Sequence, residues 1–136
     1  GTITACAGYD AVYKKIEYAI TAKKSLPLTA VHCTAQTGEY VFSPLKEIYP
    51  CWEVVGHKKF QIGIIENNTI SWNKDELKKW HTHDVTSLSC KYCKYVFLCG
   101  GGCLAMKTNQ CNLFKKMIIK AVNTVYNSVY ANLFNK

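Results

Sequence analysis

Arginine is missing from this 136-residue chain: all 17 of its basic residues are lysine. The guanidinium fork is the group that reads guanine and grips phosphate bidentately, so its absence argues against a nucleic-acid partner. Lysine can still bind phosphate as a point charge, and the formal charge is +8. Two further features are lacking. No apolar run approaches the roughly 20 residues that a transmembrane helix needs, and the N-terminus shows no charged-then-apolar signal pattern. A cytoplasmic protein without a membrane partner is the expectation. The chain opens on Gly1 rather than methionine, which suits a processed product or, preferably, a piece of something longer.

What is present suits a globular fold. With 49% hydrophobic and 12% aromatic residues, the chain is too apolar for disorder, and its length suits one domain with a real core. Tyr9, Val12, Tyr13, Ile16, Ala19 and Ile20 recur at helical spacing, predicting an amphipathic helix that ends near Lys24, with Pro27 closing it off. Residues 29–33 and 39–43, β-branched or aromatic around a Gly38 turn, read as strands. Glu47–Val55 and Phe60–Glu66 read as an antiparallel pair joined through Gly56-His57-Lys58-Lys59, with Thr69–Trp72 as an edge strand. Asn73 with Glu76 three residues on forms a capping-box pattern for a short helix to about His83. From Ser87 to Met106 there is no stable periodicity, and that stretch must be held by something other than packing.

From Asn112 to Phe134 apolar pairs return every four positions, Leu113/Phe114 through Leu133/Phe134. A strict four-residue repeat drifts about 40° per step on an ideal helix. One straight helix would therefore expose part of the stripe, unless it bends near Asn123 or Asn127 or its far end packs on protein outside this chain. The fold class predicted is α+β: small β-hairpins around cysteine-rich loops, flanked by an N-terminal helix and a long C-terminal helix.

The chemistry is in the cysteines, eight in all. Cys90, Cys93, Cys99, Cys103 and Cys111 run as C-x2-C-x5-C-x3-C-x7-C. Two thiols two residues apart can share one metal or cluster edge without straining the loop. Five are more than one four-coordinate site uses, so partners are needed among Cys33, Cys51 and Cys6. An extracellular disulfide framework also suits an even count, but lacks a secretion signal here. Zinc in two four-cysteine sites and iron–sulfur clusters both suit tetrahedral sulfur, and spacing alone does not separate them. Thiolate ligands would offset part of the positive charge, roughly four units for two cubanes.

The run Cys90-Lys91-Tyr92-Cys93-Lys94-Tyr95-Val96-Phe97-Leu98-Cys99-Gly100-Gly101-Gly102-Cys103 resembles the signature of the SPASM domain, the auxiliary-cluster domain at the C-terminus of many radical S-adenosylmethionine enzymes. Cys33-Thr34-Ala35, Ile48-Tyr49-Pro50-Cys51-Trp52 and Phe60-Gln61-Ile62-Gly63 are similar to its upstream pattern, so the likeness covers roughly residues 28–115. It implies two [4Fe-4S] clusters, one on Cys33, Cys51 and Cys103, the other on Cys90, Cys93, Cys99 and Cys111. It also implies a peptide or protein substrate and a radical S-adenosylmethionine barrel as partners. Residues 1–27 would be the helical lead-in from that barrel, and 116–136 the C-terminal helix.

Two departures stand out. The family usually has glycine five residues before its second cysteine, where this chain has Lys46, which predicts an altered hairpin turn. Some members add an eighth cysteine shortly before the first; none lies near Pro27. The first cluster's fourth ligand is then the distant Cys6, a substrate thiolate on an open iron, or none. The barrel's own C-x3-C-x2-C motif is absent, and 27 residues cannot form a barrel, so no catalytic residue is assigned and S-adenosylmethionine would be bound only by a missing N-terminal domain. A stand-alone electron-transfer module and a zinc-stabilised interaction domain are the alternatives.

The remaining residues have plainer readings. Gly100, Gly101 and Gly102 suit either backbone N–H groups close to cluster sulfurs or a simple tight turn. His32, His57, His81 and His83 lack metal spacing and are expected at the surface or in packing. Trp52, Trp72 and Trp80 are expected in the core or covering the clusters.

Overall fold

The computed structural model describes residues 2–26, 28–86, 90–106 and 110–131, and within these it leaves undescribed the side chains of residues 2–9, 11 and 110. The chain is α+β, in two units: Gly1–Leu28 with Thr108–Lys136, and Thr29–Lys107.

The first unit is helical. α1 (Thr2–Thr21) begins well before the predicted start at Tyr9, and α4 (Gln110–Tyr130) packs against it. Val12 and Ile16 of α1 and Ile118, Ala121 and Val125 of α4 are buried. α4 runs unbroken through Asn123 and Asn127. Because its apolar pairs repeat every four residues rather than every 3.6, part of the stripe rotates off the buried face. Ile119, Val122 and Tyr126 accordingly stand 49%, 41% and 53% exposed.

The second unit is built on a four-stranded antiparallel meander, β1 (Val41–Phe42), β2 (Glu47–Tyr49), β3 (Gly63–Glu66) and β4 (Thr69–Trp72), in that spatial order. The predicted pairing of the second and third strands is present, with Ile48 opposite Gly63. It is much shorter than predicted. Pro50 cannot donate to a ladder, and residues 50–62 leave the sheet through two 3-10 turns, Trp52–Val54 and Lys58–Phe60. The predicted strand at 29–33 is absent. Its backbone is wired elsewhere: Thr29 N–H donates to the Phe97 carbonyl (2.7 Å), and the Ala30 carbonyl accepts from Val85 N–H (3.1 Å). The β-branched residues there satisfy β propensity, but no strand lies alongside to complete a ladder.

Two turns position the sheet. Asn67 and Asn68 both take positive φ (48° and 59°) between Glu66 and its partner Thr69, the primed-turn geometry that matches strand twist. The β1–β2 connection is Ser43-Pro44-Leu45-Lys46-Glu47, closed by Ser43 N–H to the Glu47 carbonyl (2.8 Å) and Lys46 N–H to the Ser43 carbonyl (3.0 Å). Lys46 sits at φ 65°. The turn therefore holds a non-glycine residue in the left-handed region that glycine would favour, and lysine bears the strain.

α2 (Lys74–His81) starts as predicted, with Glu76 N–H donating to the Asn73 side-chain oxygen (3.2 Å). It ends two residues before His83. Its Trp80 joins Ala35, Ile48 and Ile62 in the core, with Cys33 and Cys51 packed against that cluster. Buried Glu47 is bonded by the Lys58 ammonium and accepts the Tyr49 hydroxyl (2.9 Å). These two donors hold its carboxyl below the usual range.

Candidate metal centre

Cys33 and Cys51 occupy the same local setting. Each has extended backbone (φ −155° and −157°) and precedes a 3-10 turn, Thr34–Gln36 for the first and Trp52–Val54 for the second. In each case the backbone N–H two residues on, Ala35 or Glu53, acts on the thiol in the direction that lowers its pKa. Burial raises both thiol pKa values above the ordinary range, and those N–H groups oppose it. Cys103 raises both further, and Cys51 adds to the rise at Cys33. Cys33, Cys51 and Cys103 therefore lie within electrostatic reach of one another, although they come from three separate stretches of sequence.

That donor set has a definite chemical bias. It is all sulfur, seated against an apolar core, with Glu39 adding negative charge near Cys33 and Cys51. Thiolates gathered in such a place repel one another until a cation compensates them. The residues fit a thiolate-bound metal group.

Cys90, Cys93 and Cys99 form the second stretch. Cys93 N–H donates to the Cys90 carbonyl (2.8 Å), a tight turn that puts the two C-x2-C residues together. Cys99 ends α3 (Val96–Cys99), an element missed in the sequence because four residues show no period. Gly100 caps it at φ 70°. The Cys90 thiol lies 3.5 Å from the Gly101 carbonyl.

The three glycines have a steric reason. All have positive φ (70°, 88° and 83°). A Cβ at Gly100 would stand 2.2 Å from the Val31 carbonyl oxygen, and one at Gly101 2.7 Å from that of Asp84. Backbone of the 31–32 and 84 segments closes directly on Gly100 and Gly101.

Polar side chains complete these loops. Gln36 is buried; its Oε1 accepts from His32 N–H (2.7 Å) and Cys33 N–H (2.9 Å), and its Nε2 donates to the His83 carbonyl (2.5 Å). His83 Nε2 donates to the carbonyls of Gly101 (3.0 Å) and Gly102 (3.2 Å), and His32 Nδ1 to that of Cys99 (2.8 Å). Carbonyls only accept, so these partners fix both tautomers and the amide orientation. The sequence reading gave the histidines no specific partners and passed over Gln36. The available signal was Cys33-Thr34-Ala35-Gln36, which has the cap-x-x-Gln form of a capping box.

Cys111 stands exposed in the first turn of α4, in the helical unit, whereas the other six described cysteines belong to the second unit. All seven are thiols, not disulfides. Cys6 lies in α1 with its side chain outside the described residues. Among the described residues no three His, Cys, Asp or Glu side chains converge as ligands of a single metal ion. Trp80 is core, but Trp52, beside Cys51, is 76% exposed rather than buried. No helix among the described residues is long and apolar enough to cross a membrane. The chain matches no protein-family model and no curated protein sequence.

Proposed function

We propose that this chain is an auxiliary iron–sulfur domain for two [4Fe-4S] clusters, the first on Cys33, Cys51 and Cys103, the second on Cys90, Cys93 and Cys99, to which the resemblance to the SPASM signature would add Cys111. The observation that carries the reading is the pair of matching turns that present Cys33 and Cys51, both packed against the same apolar core. A zinc site needs its four ligand atoms within about 2.3 Å of one centre. A cubane presents its irons at separate corners and takes one thiolate at each.

The likeness of the cysteine run to the SPASM signature extends the reading. The chain would serve a cytoplasmic radical S-adenosylmethionine enzyme that modifies a peptide or protein. When bound, the clusters would supply one-electron transfer and a place for the substrate. The chain's own residues hold the thiols, shield them on the apolar core and direct the Ala35 and Glu53 N–H groups at sulfur, contacts of the kind that tune cluster potential.

Anaerobic purification with iron, sulfide and zinc analysis tests this. About eight irons with matching sulfide per chain are expected. Stoichiometric zinc without sulfide would overturn it in favour of a zinc-stabilised module.

A further inference from the structure

Residues 83–85 run as a strap between the two loops that carry Cys33 and Cys103. On one side Val85 N–H donates to Ala30, and the His83 carbonyl accepts from the buried Gln36 amide. On the other, the His83 ring donates to Gly101 and Gly102, immediately before Cys103, and the Asp84 carbonyl packs where Gly101 has no side chain. Gln36 in turn holds the N–H of Cys33. The result is one uninterrupted path, Cys33 N–H to Gln36 to His83 to the Gly102 carbonyl, with no metal in it.

We propose that Gln36 and His83 are positioning residues that set the Cys33–Cys103 separation before any metal arrives. The proposal rests on the reading of these cysteines as a cluster site, but makes a claim about the metal-free protein as well. Neither side chain is assigned as a ligand. Gln36 fixes the direction of the Cys33 backbone, and His83 fixes where the glycine run delivers Cys103. Both use hydrogen bonds to backbone, so their geometry is insensitive to which side chains surround the cysteines. Buried amides fully satisfied in this way are high-stakes: losing one partner leaves backbone groups without a bond and frees the loop.

The test uses the whole chain and three substitutions. His83→Phe keeps a ring but removes the donor, His83→Gln restores an N–H near the Nε2 position, and Gln36→Met removes both ends of the Gln36 link. In metal-free protein, amide exchange at Cys33 and His32 should quicken roughly tenfold in Gln36→Met, which removes the acceptor of both N–H groups, one hydrogen bond's worth of protection each. After anaerobic loading, His83→Phe and Gln36→Met should lose about half the iron and the matching sulfide, one cubane's share, while His83→Gln retains both clusters. Unchanged Cys33 exchange in Gln36→Met overturns the proposal. So does iron loading by His83→Phe equal to wild type, or His83→Gln behaving as His83→Phe. If Gln36→Met does not fold, the His83 pair decides the matter. Wild-type protein that takes up no iron and sulfide defeats the cluster reading instead, and the exchange result still judges the strap.

Discussion

Gly100→Ala offers a direct measurement of how closely the cysteine loop is packed, because Gly56→Ala supplies an internal control. Both glycines have positive φ, 70° and 84°. An added Cβ meets nothing within 4 Å at Gly56, but lies 2.2 Å from the Val31 carbonyl oxygen and 2.6 Å from His32 nitrogen at Gly100. Each alanine incurs the left-handed conformational cost of about 1–2 kcal/mol. At Gly100 the collision is with backbone that cannot swing aside as a side chain tip can, and overpacking of this kind costs about 1–3 kcal/mol more. The expected totals are about 1–2 kcal/mol at Gly56 and about 2–5 kcal/mol at Gly100. Urea unfolding of the thiol form, followed by tryptophan fluorescence, reads this cleanly. Trp52, Trp72 and Trp80 all belong to the 29–107 unit, so the signal reports that unit alone. Trp80, 1% exposed, should give the main red shift on unfolding. If Gly100→Ala costs no more than Gly56→Ala, the close approach of residues 31–32 to the glycine run is wrong.

Three other predictions concern separate parts of the molecule. Lys46→Gly should stabilise the second unit by about 0.5–1 kcal/mol, since relief of left-handed strain exceeds the added unfolded-state entropy of glycine; a lower urea midpoint would contradict that. Glu47, held below its normal pKa by Lys58 and Tyr49, contributes stability that is fully present above the unfolded value of about 4.3 and is lost as pH falls through the lower folded value. Urea midpoints should therefore drop on acidification from pH 6 to pH 3, and drop less in Glu47→Gln. Clusters that bind only the folded protein add to the stability of the loop carrying residues 90–106, so proteolysis within it should be faster in metal-free than in cluster-loaded protein; equal resistance would refute a metal contribution to this stretch.

Periodic and capped elements were legible in the sequence: both long helices, β4 and the Asn73-capped α2 follow from patterns a few residues long. The absence of a strand at 29–33 was not, because propensity records what a side chain tolerates and not whether a neighbouring strand exists to receive its N–H groups. β2 was overextended for a related reason. Val54 and Val55 look like strand residues, but Pro50 and the Cys51-capped turn withdraw them from the ladder. At the candidate site, the thiols were visible as spacing, whereas the groups that hold them were not. His83 and Gln36 act through carbonyls and N–H groups of residues distant in sequence, and such partners leave no local period. Lys46 takes positive φ in a turn closed by backbone bonds among Ser43, Lys46 and Glu47, a conformation that no local side-chain pattern announces.

The meander and the cysteine loops differ most in how far apart their partners lie along the chain. Each strand of the sheet pairs with its neighbour in sequence, while the His32–Cys99 bond that joins the loops spans 67 positions. Short loops close early and at small entropic cost; long ones must wait. The entropic cost of building this unit therefore falls on bonds such as His32–Cys99, and the cysteine loops are the part of it that depends most on residues distant in sequence.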